Sequence, residues 1–175
     1  MGYHTNFEGF FVFDKPLKEE HSAYLTRFAD TRRMMRNVSK LPADPLRERV
    51  GLPPGIDGSY FVGGAVEDVD FSDHHPSVAD GNCPPADQPS LWCGWAPARV
   101  GHQKRDALMW DGSEKFYYYV EWLEYLIKHF IGPWGYRLSG TVCWYGAELD
   151  DLGRIRVSGN KVVVERGRIA YGAAS

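Results

Sequence analysis

The sequence predicts an α+β fold: a ferredoxin-like βαββαβ sandwich with a long loop insertion and a C-terminal β-hairpin. Two stretches carry helical periodicity, and short aromatic or β-branched runs lie around them. In chain order these read strand, helix, strand, strand, helix, strand, hairpin. A chain of 175 residues suits a single domain spanning 1–175, with an irregular insertion at about 37–90.

Residues 7–13 (Phe-Glu-Gly-Phe-Phe-Val-Phe) favour a strand, and Asp14-Lys15-Pro16 ends it. Pro16 presets a helical φ, Glu19 and Glu20 suit a first turn, and Leu17, Tyr24, Leu25 and Phe28 recur at helical spacing. The first helix is therefore expected over about 17–33. Residues 91–96 read as a strand whose hairpin partner is Leu108-Met109-Trp110, across a polar loop. Asp111-Gly112-Ser113-Glu114 has the spacing of a capping box and places a second helix directly after it. Phe116, Val120, Leu123, Ile127, Phe130 and Ile131 form that helix's apolar stripe, and Gly132-Pro133 stops it. A strand is expected over 137–146. Residues 154–157 and 162–164 flank a Gly159-Asn160 turn, and a last short strand is expected near 168–171.

The region 37–90 holds Pro42, Pro45, Pro53, Pro54, Pro76, Pro84, Pro85 and Pro89. Regular structure is sparse there, with one short strand expected at Tyr60-Phe61-Val62. A loop of this length in one domain is either functional or disordered.

Apolar residues make up 43% of the chain and the net charge is −3, so neither wholesale disorder nor a globally basic nucleic-acid binder is indicated. No uninterrupted apolar run approaches the roughly 18 residues that span a bilayer, so no membrane association is expected. Met1 to Glu8 lacks the basic and apolar regions of a secretory signal. Cys83, Cys93 and Cys143 give an odd count without zinc-type spacing, which points to free thiols in a reducing cytoplasm.

Five constellations bear on function. Asp70, Asp73, His74 and His75 form the densest ligand-type cluster; adjacent histidines on an acidic loop read more simply as a solvated face than as a metal site. Arg32, Arg33 and Arg36 lie in a basic stretch, and residues 57–87 are acidic without Lys or Arg. Arg154, Arg156, Lys161, Arg166 and Arg168 make the C-terminal hairpin basic, which suits either single-stranded nucleic acid or a guarded sheet edge. Trp92 and Trp95 are expected on one phase of a strand, and Trp134 beside Pro133 and Gly135 suits either a binding hot spot or packing over a helix end. Cys93, His102 and Asp106 come nearest to a nucleophilic arrangement, but a cysteine between tryptophans reads as a small core hydrophobe. No catalytic residue and no cofactor is expected.

Several word-like stretches carry a resemblance: Met1-Gly2-Tyr3-His4-Thr5, Thr31-Arg32-Arg33-Met34, Tyr60-Phe61-Val62-Gly63-Gly64 and Gln88-Pro89-Ser90-Leu91-Trp92-Cys93-Gly94-Trp95. Further ones are Trp110-Asp111-Gly112-Ser113-Glu114-Lys115-Phe116, Glu121-Trp122-Leu123-Glu124-Tyr125-Leu126 and Pro133-Trp134-Gly135-Tyr136. Together they resemble small uncharacterised proteins of tailed bacteriophages, prophages and their bacterial hosts, over most of the chain outside about 65–80. The resemblance implies an accessory protein acting in a bacterial cytoplasm and brings no activity with it. The resulting expectation is a non-catalytic module, monomeric or a small homo-oligomer, that binds a host protein through loop 37–90 and the adjacent charged surface. Its binding residues would be Arg32, Arg33, Arg36, Trp92, Trp95 and Trp134. The alternatives are a single-stranded nucleic-acid binder using Arg32, Arg33, Arg36 and the 154–168 hairpin, and a small metal-dependent enzyme with its site in the loop.

Overall fold

The computed structural model describes residues 3–63 and 75–172. Its elements are β1 (Thr5–Phe13), α1 (Glu19–Asp30), β2 (Met35–Arg36), α2 (Pro45–Arg49), β3 (Val78–Asp80), β4 (Trp95–Val100), β5 (Arg105–Trp110), α3 (Tyr119–Leu126), β6 (Leu138–Gly146), β7 (Leu152–Ser158) and β8 (Lys161–Arg166). Six strands form one antiparallel sheet in the order β4-β5-β1-β6-β7-β8, and β2 pairs with β3 separately. The protein is therefore a mixed α+β molecule on a mostly antiparallel sheet, as expected.

Strand alternation decides which face is buried. Phe7, Phe11 and Phe13 of β1 point to the same side as Trp95, Leu108, Leu138, Val142, Trp144, Ile155 and Val157, and all of these are buried. The helices cover this side. Tyr24, Leu25 and Phe28 of α1 and Trp122, Leu123 and Leu126 of α3 join the same core. Ring contacts knit the layers: Phe7 meets Trp95 at 5.6 Å and Tyr119 at 4.9 Å, and Phe28 meets Trp122 at 5.9 Å. Burial of each such side chain is worth roughly 1.5–3 kcal/mol.

Most strand expectations hold to within a few residues, including the C-terminal hairpin. Its Gly159 and Asn160 both take positive φ (54° and 73°), as a two-residue hairpin turn demands. The second helix departs from expectation. It begins at Tyr119 and ends in a π-helical turn, Ile127–Ile131. Asp111 accepts from Ser113 N at 2.8 Å and closes a local turn instead of capping a helix. The reason lies in Phe116. It is a core residue, seated so closely on Gly94 that a Cβ there would strike its ring. Holding Phe116 down forces an irregular loop with Lys115 and Tyr118 in left-handed conformations (φ 60° and 56°), and the helix starts only after it. Tyr60–Val62 is not a strand, and neither is 168–171.

Trp92 and Trp95 do not share a face. A spacing of three places them on opposite phases, and Trp92 also precedes the strand. Trp95 is buried and donates its Nε1 proton to Tyr119 O at 2.7 Å, whereas Trp92 is 44% exposed.

Much of the region between α1 and β4 packs inward. Met34, Val50, Phe61 and Val62 are all buried. Arg33 ties this region together. Its backbone N–H donates to Leu91 O at 2.8 Å, its Nη2 to Ser59 O and Phe61 O at 2.9 and 2.8 Å, and its Nε to Gln88 Oε1 at 3.2 Å. The guanidinium lies 4.2 Å over the ring of Phe28. Replacing Arg33 by methionine is expected to lower unfolding free energy by about 2–4 kcal/mol, because Phe61 O loses its donor. Lysine cannot reproduce the fork and should recover little of that loss. Arg32→Ala, on the half-exposed neighbour, should change stability by under about 0.5 kcal/mol. Urea denaturation of the three variants measures this directly.

Candidate functional site

The chain on either side of the β4–β5 hairpin builds an apolar groove of about 660 Å³. One wall is the stretch that leads into β4, with Pro84, Leu91 and Trp92; the other is the loop leaving β5, with Phe116, Tyr117 and Tyr118. Asp111, Glu114 and Lys115 stand at the same opening. Tyr117 and Tyr118 are 45% and 55% exposed, unusual for large aromatic side chains. Their outward aim follows from the loop. Phe116 is pinned inward on Gly94, and the left-handed turns at Lys115 and Tyr118 direct the following chain back toward α3. Non-glycine residues in that region of backbone space cost of order 1–3 kcal/mol each and recur at binding sites.

A larger depression of about 880 Å³ runs along the exposed side of α1 beside β4. Three of its charged groups, Asp106, Arg99 and Arg27, already hold structural contacts. Asp106 accepts from Leu17 N at 2.8 Å and pairs with Arg99 at 3.3 Å, and Arg27 donates to Val62 O at 2.9 Å. The aromatic groove is the better candidate, because it is bordered by large aromatic side chains that stand out of the core, Tyr117 and Tyr118 above all.

The predicted binding residues scatter. Arg33 and Arg36 are 2% and 3% exposed and cannot meet a partner. Arg36 donates to Ser77 Oγ at 2.9 Å and stacks on Phe61 at 4.6 Å. Burial lowers the pKa of both guanidinium groups, Arg36 to about 10, so Arg36 remains charged at neutral pH. Arg32 donates to Asn82 Oδ1 at 3.1 Å, close to the groove. Trp95 is core, and Trp92 lines the groove. Trp134 packs over a helix end, stacked nearly parallel on His21 at 4.2 Å.

In the C-terminal hairpin, Arg154 and Arg156 both pair with Glu165 across the sheet face, with Arg156 at 3.4 Å. Lys161, Arg166 and Arg168 are exposed. Asp70, Asp73 and His74 lie outside the described residues, and His75 Nδ1 is engaged with Ser77 Oγ at 2.8 Å. Among the described residues no group of His, Cys, Asp or Glu is arranged to hold a metal ion. Cys93 is buried, its thiol pushed up to about 12 mainly by burial, while His102 sits exposed on the hairpin tip. A thiolate nucleophile does not form at such a position.

Comparison with protein-family models, with curated proteins and with solved structures finds no match in any of the three. No helix among the described residues is long and apolar enough to cross a membrane.

A single helix whose apolar stripe runs from Phe116 to Ile131 does not single out Tyr117 and Tyr118. The run Phe116-Tyr117-Tyr118-Tyr119 held the signal: four consecutive aromatics cannot all face one side of a helix, so some must be presented outward.

His21 makes the region around Trp134 sensitive to pH. Its Nδ1 faces Tyr136 Oη at 2.9 Å, that oxygen also accepts from Lys18 N, and burial lowers the imidazole pKa below its ordinary 6.5. An unfolded chain therefore takes up the proton first as pH falls. Stability is full above about 6.5, declines as pH drops beneath it, and levels off once the folded imidazole protonates. Burial lowers His129 in the same direction. The Tm should fall between pH 7 and pH 5, and His21→Phe, which keeps the stacking on Trp134, should flatten part of that fall in a thermal melt.

Proposed function

We propose that this protein is a non-catalytic accessory module of phage type that binds a segment of another protein, of the host, in the groove between Trp92 and Tyr117–Tyr118. The carrying observation is the outward presentation of Tyr117 and Tyr118 on a strained loop beside an apolar groove. Aromatic side chains around an apolar depression are the composition of binding hot spots. The carboxylates of Asp111 and Glu114 at the opening favour a segment that brings an apolar side chain with a Lys or Arg next to it. The groove overlaps the expected contact region only at its end, near residues 82–90; apart from Ala29 of α1, the rest of the contact lies in 91–93 and 111–118.

The finer fold reading belongs here too. Among the four strands β1, β4, β5 and β6 the spatial order is β4-β5-β1-β6, all antiparallel, with α1 and α3 on one face. That order supports a ferredoxin-like sandwich, with β7–β8 extending the sheet and residues 31–94 inserted. The fold hosts many functions, so the groove and not the topology carries the proposal.

A single-stranded nucleic-acid reading has one observation in its favour. Phe10 and Tyr145 are exposed on the sheet face away from the helices, the face that also carries Arg154 and Arg156. Against it, Glu165 neutralises part of that charge.

Peptides selected by display against the purified chain should carry an apolar–basic pair and perturb backbone NMR signals of 82–93 and 111–118. Tyr118→Ala should weaken such a peptide about tenfold or more, with Arg154→Ala neutral. Peptides bound equally by Tyr118→Ala and wild type would sink the groove. A thymidine oligonucleotide whose affinity falls steeply with salt and depends on Arg154 and Arg156 would replace this reading with the second.

A further inference from the structure

The two edges of the main sheet are built differently. At the β4 edge, Asp111 N donates to Gly94 O at 3.0 Å, in register with the Trp95–Trp110 pair. Even-numbered residues of β4 therefore turn their amides toward β5, and odd-numbered ones turn outward. Pro97 occupies an outward position and has no N–H to offer, so this edge is blunted. At the β8 edge, Gly167 N donates to Leu152 O at 2.7 Å, in register with the Ser158–Lys161 pair. Residues 161, 163 and 165 face β7 with their backbone groups. Val162, Val164 and Arg166 turn theirs away from the sheet. The register of β8 on β7 runs unbroken and the strand contains no proline. Val163 and Val164 are 43% and 44% exposed on opposite faces. An open, apolar edge of this kind is a template for another strand.

We propose that β8 pairs antiparallel with β8 of a second copy, about a two-fold axis at Val163. The register follows from the edge itself. Outward-turned residues must meet outward-turned residues, so the axis passes through a residue and not between two. An axis at Val164 sets Val162 against Arg166 and Val163 against Glu165. An axis at Val162 sets Lys161 against Val163. Only Val163 places valine opposite valine and Lys161 opposite Glu165 on both sides of the axis. Val162 and the opposite Val164 then exchange N–H···O bonds. These valines share the helix-side face with Ile155 and Val157, so the contact continues the core outward. On the other face Lys161 reaches a carboxylate already held by Arg154 and Arg156. The contact is isologous and closes after two copies.

Light scattering on the full chain should give twice the mass of one chain at high concentration. Amide exchange should show Val162 and Val164 protected in step with dimer formation. Val163 meets its own copy at a non-hydrogen-bonded position, where Cα atoms lie about 4.5 Å apart, within disulfide reach. Val163→Cys should therefore oxidise to a linked dimer, while Lys161→Cys, whose copies lie far apart, and the wild type should not. Val164→Lys should return the chain to one copy with an unchanged circular dichroism spectrum. A mass of one chain at concentrations up to about 1 mM, amides of Val162 and Val164 that exchange as fast as the tail, or equal linking of the two cysteine variants would each overturn the pairing.

Discussion

A single buried guanidinium decides how the region between α1 and β4 is folded. Arg33 has no carboxylate within ion-pair distance among the described residues, and its Nη1 finds no hydrogen-bond partner there. A buried cation without an anion is costly, and what offsets it here is a set of neutral acceptors and a ring. Ser59 O, Phe61 O and Gln88 Oε1 surround it, and Gln88 in turn donates to Ser59 O and Tyr125 Oη. These acceptors come from two stretches far apart in sequence. They reach Arg33 only if 56–62 and 88–91 both lie against the end of α1. Formation of the charge-assisted bonds and folding of these stretches are thus one event.

Neighbouring contacts extend the same logic. Asp44 accepts from Val62 N and Arg47 N, which caps α2 and holds the Phe61–Val62 segment from the other side. Ser90 Oγ accepts from Trp122 Nε1, which fixes the 88–91 stretch to α3. Met35 N donates to Cys83 O and Asn37 N to Ser77 O. The chain that leads into Trp92 is therefore anchored on both α1 and α3 before it reaches the groove. This gives the groove a rigid first wall. Its second wall is set by Phe116 on Gly94, so both walls are fixed by buried contacts while their rings stay outside.

Most strands and α1 were legible because their signals are local. Alternation along 138–146, the Gly159-Asn160 turn and the acidic first turn of α1 each depend on a few adjacent residues. The errors share a cause as well. Asp111 and Glu114 have capping-box spacing, yet a long-range contact between Phe116 and Gly94 overrides it. Arg33 and Arg36 read as binding residues of a basic stretch because nothing local in the sequence announces that carbonyls 26 and 28 positions from Arg33 and a hydroxyl 41 positions from Arg36 will hold them inside. The groove was half visible. Trp92 stood out by residue type, whereas Tyr117 and Tyr118 were hidden by assigning them to a helix.

The groove and the open edge lie at opposite ends of one sheet. The groove is built from the chain entering β4 and leaving β5, and β8 closes the far side of the order β4-β5-β1-β6-β7-β8. Pairing through β8 would therefore leave both grooves uncovered and carry them to the outer ends of a sheet twice as wide. Two grooves held on a rigid sheet engage a repeated partner with an effective concentration set by that spacing, and the gain needs no new contact in either groove. Pro97 then acquires a second role. By denying the β4 edge a hydrogen bond, it keeps strand pairing away from the side where the groove opens and directs it to β8.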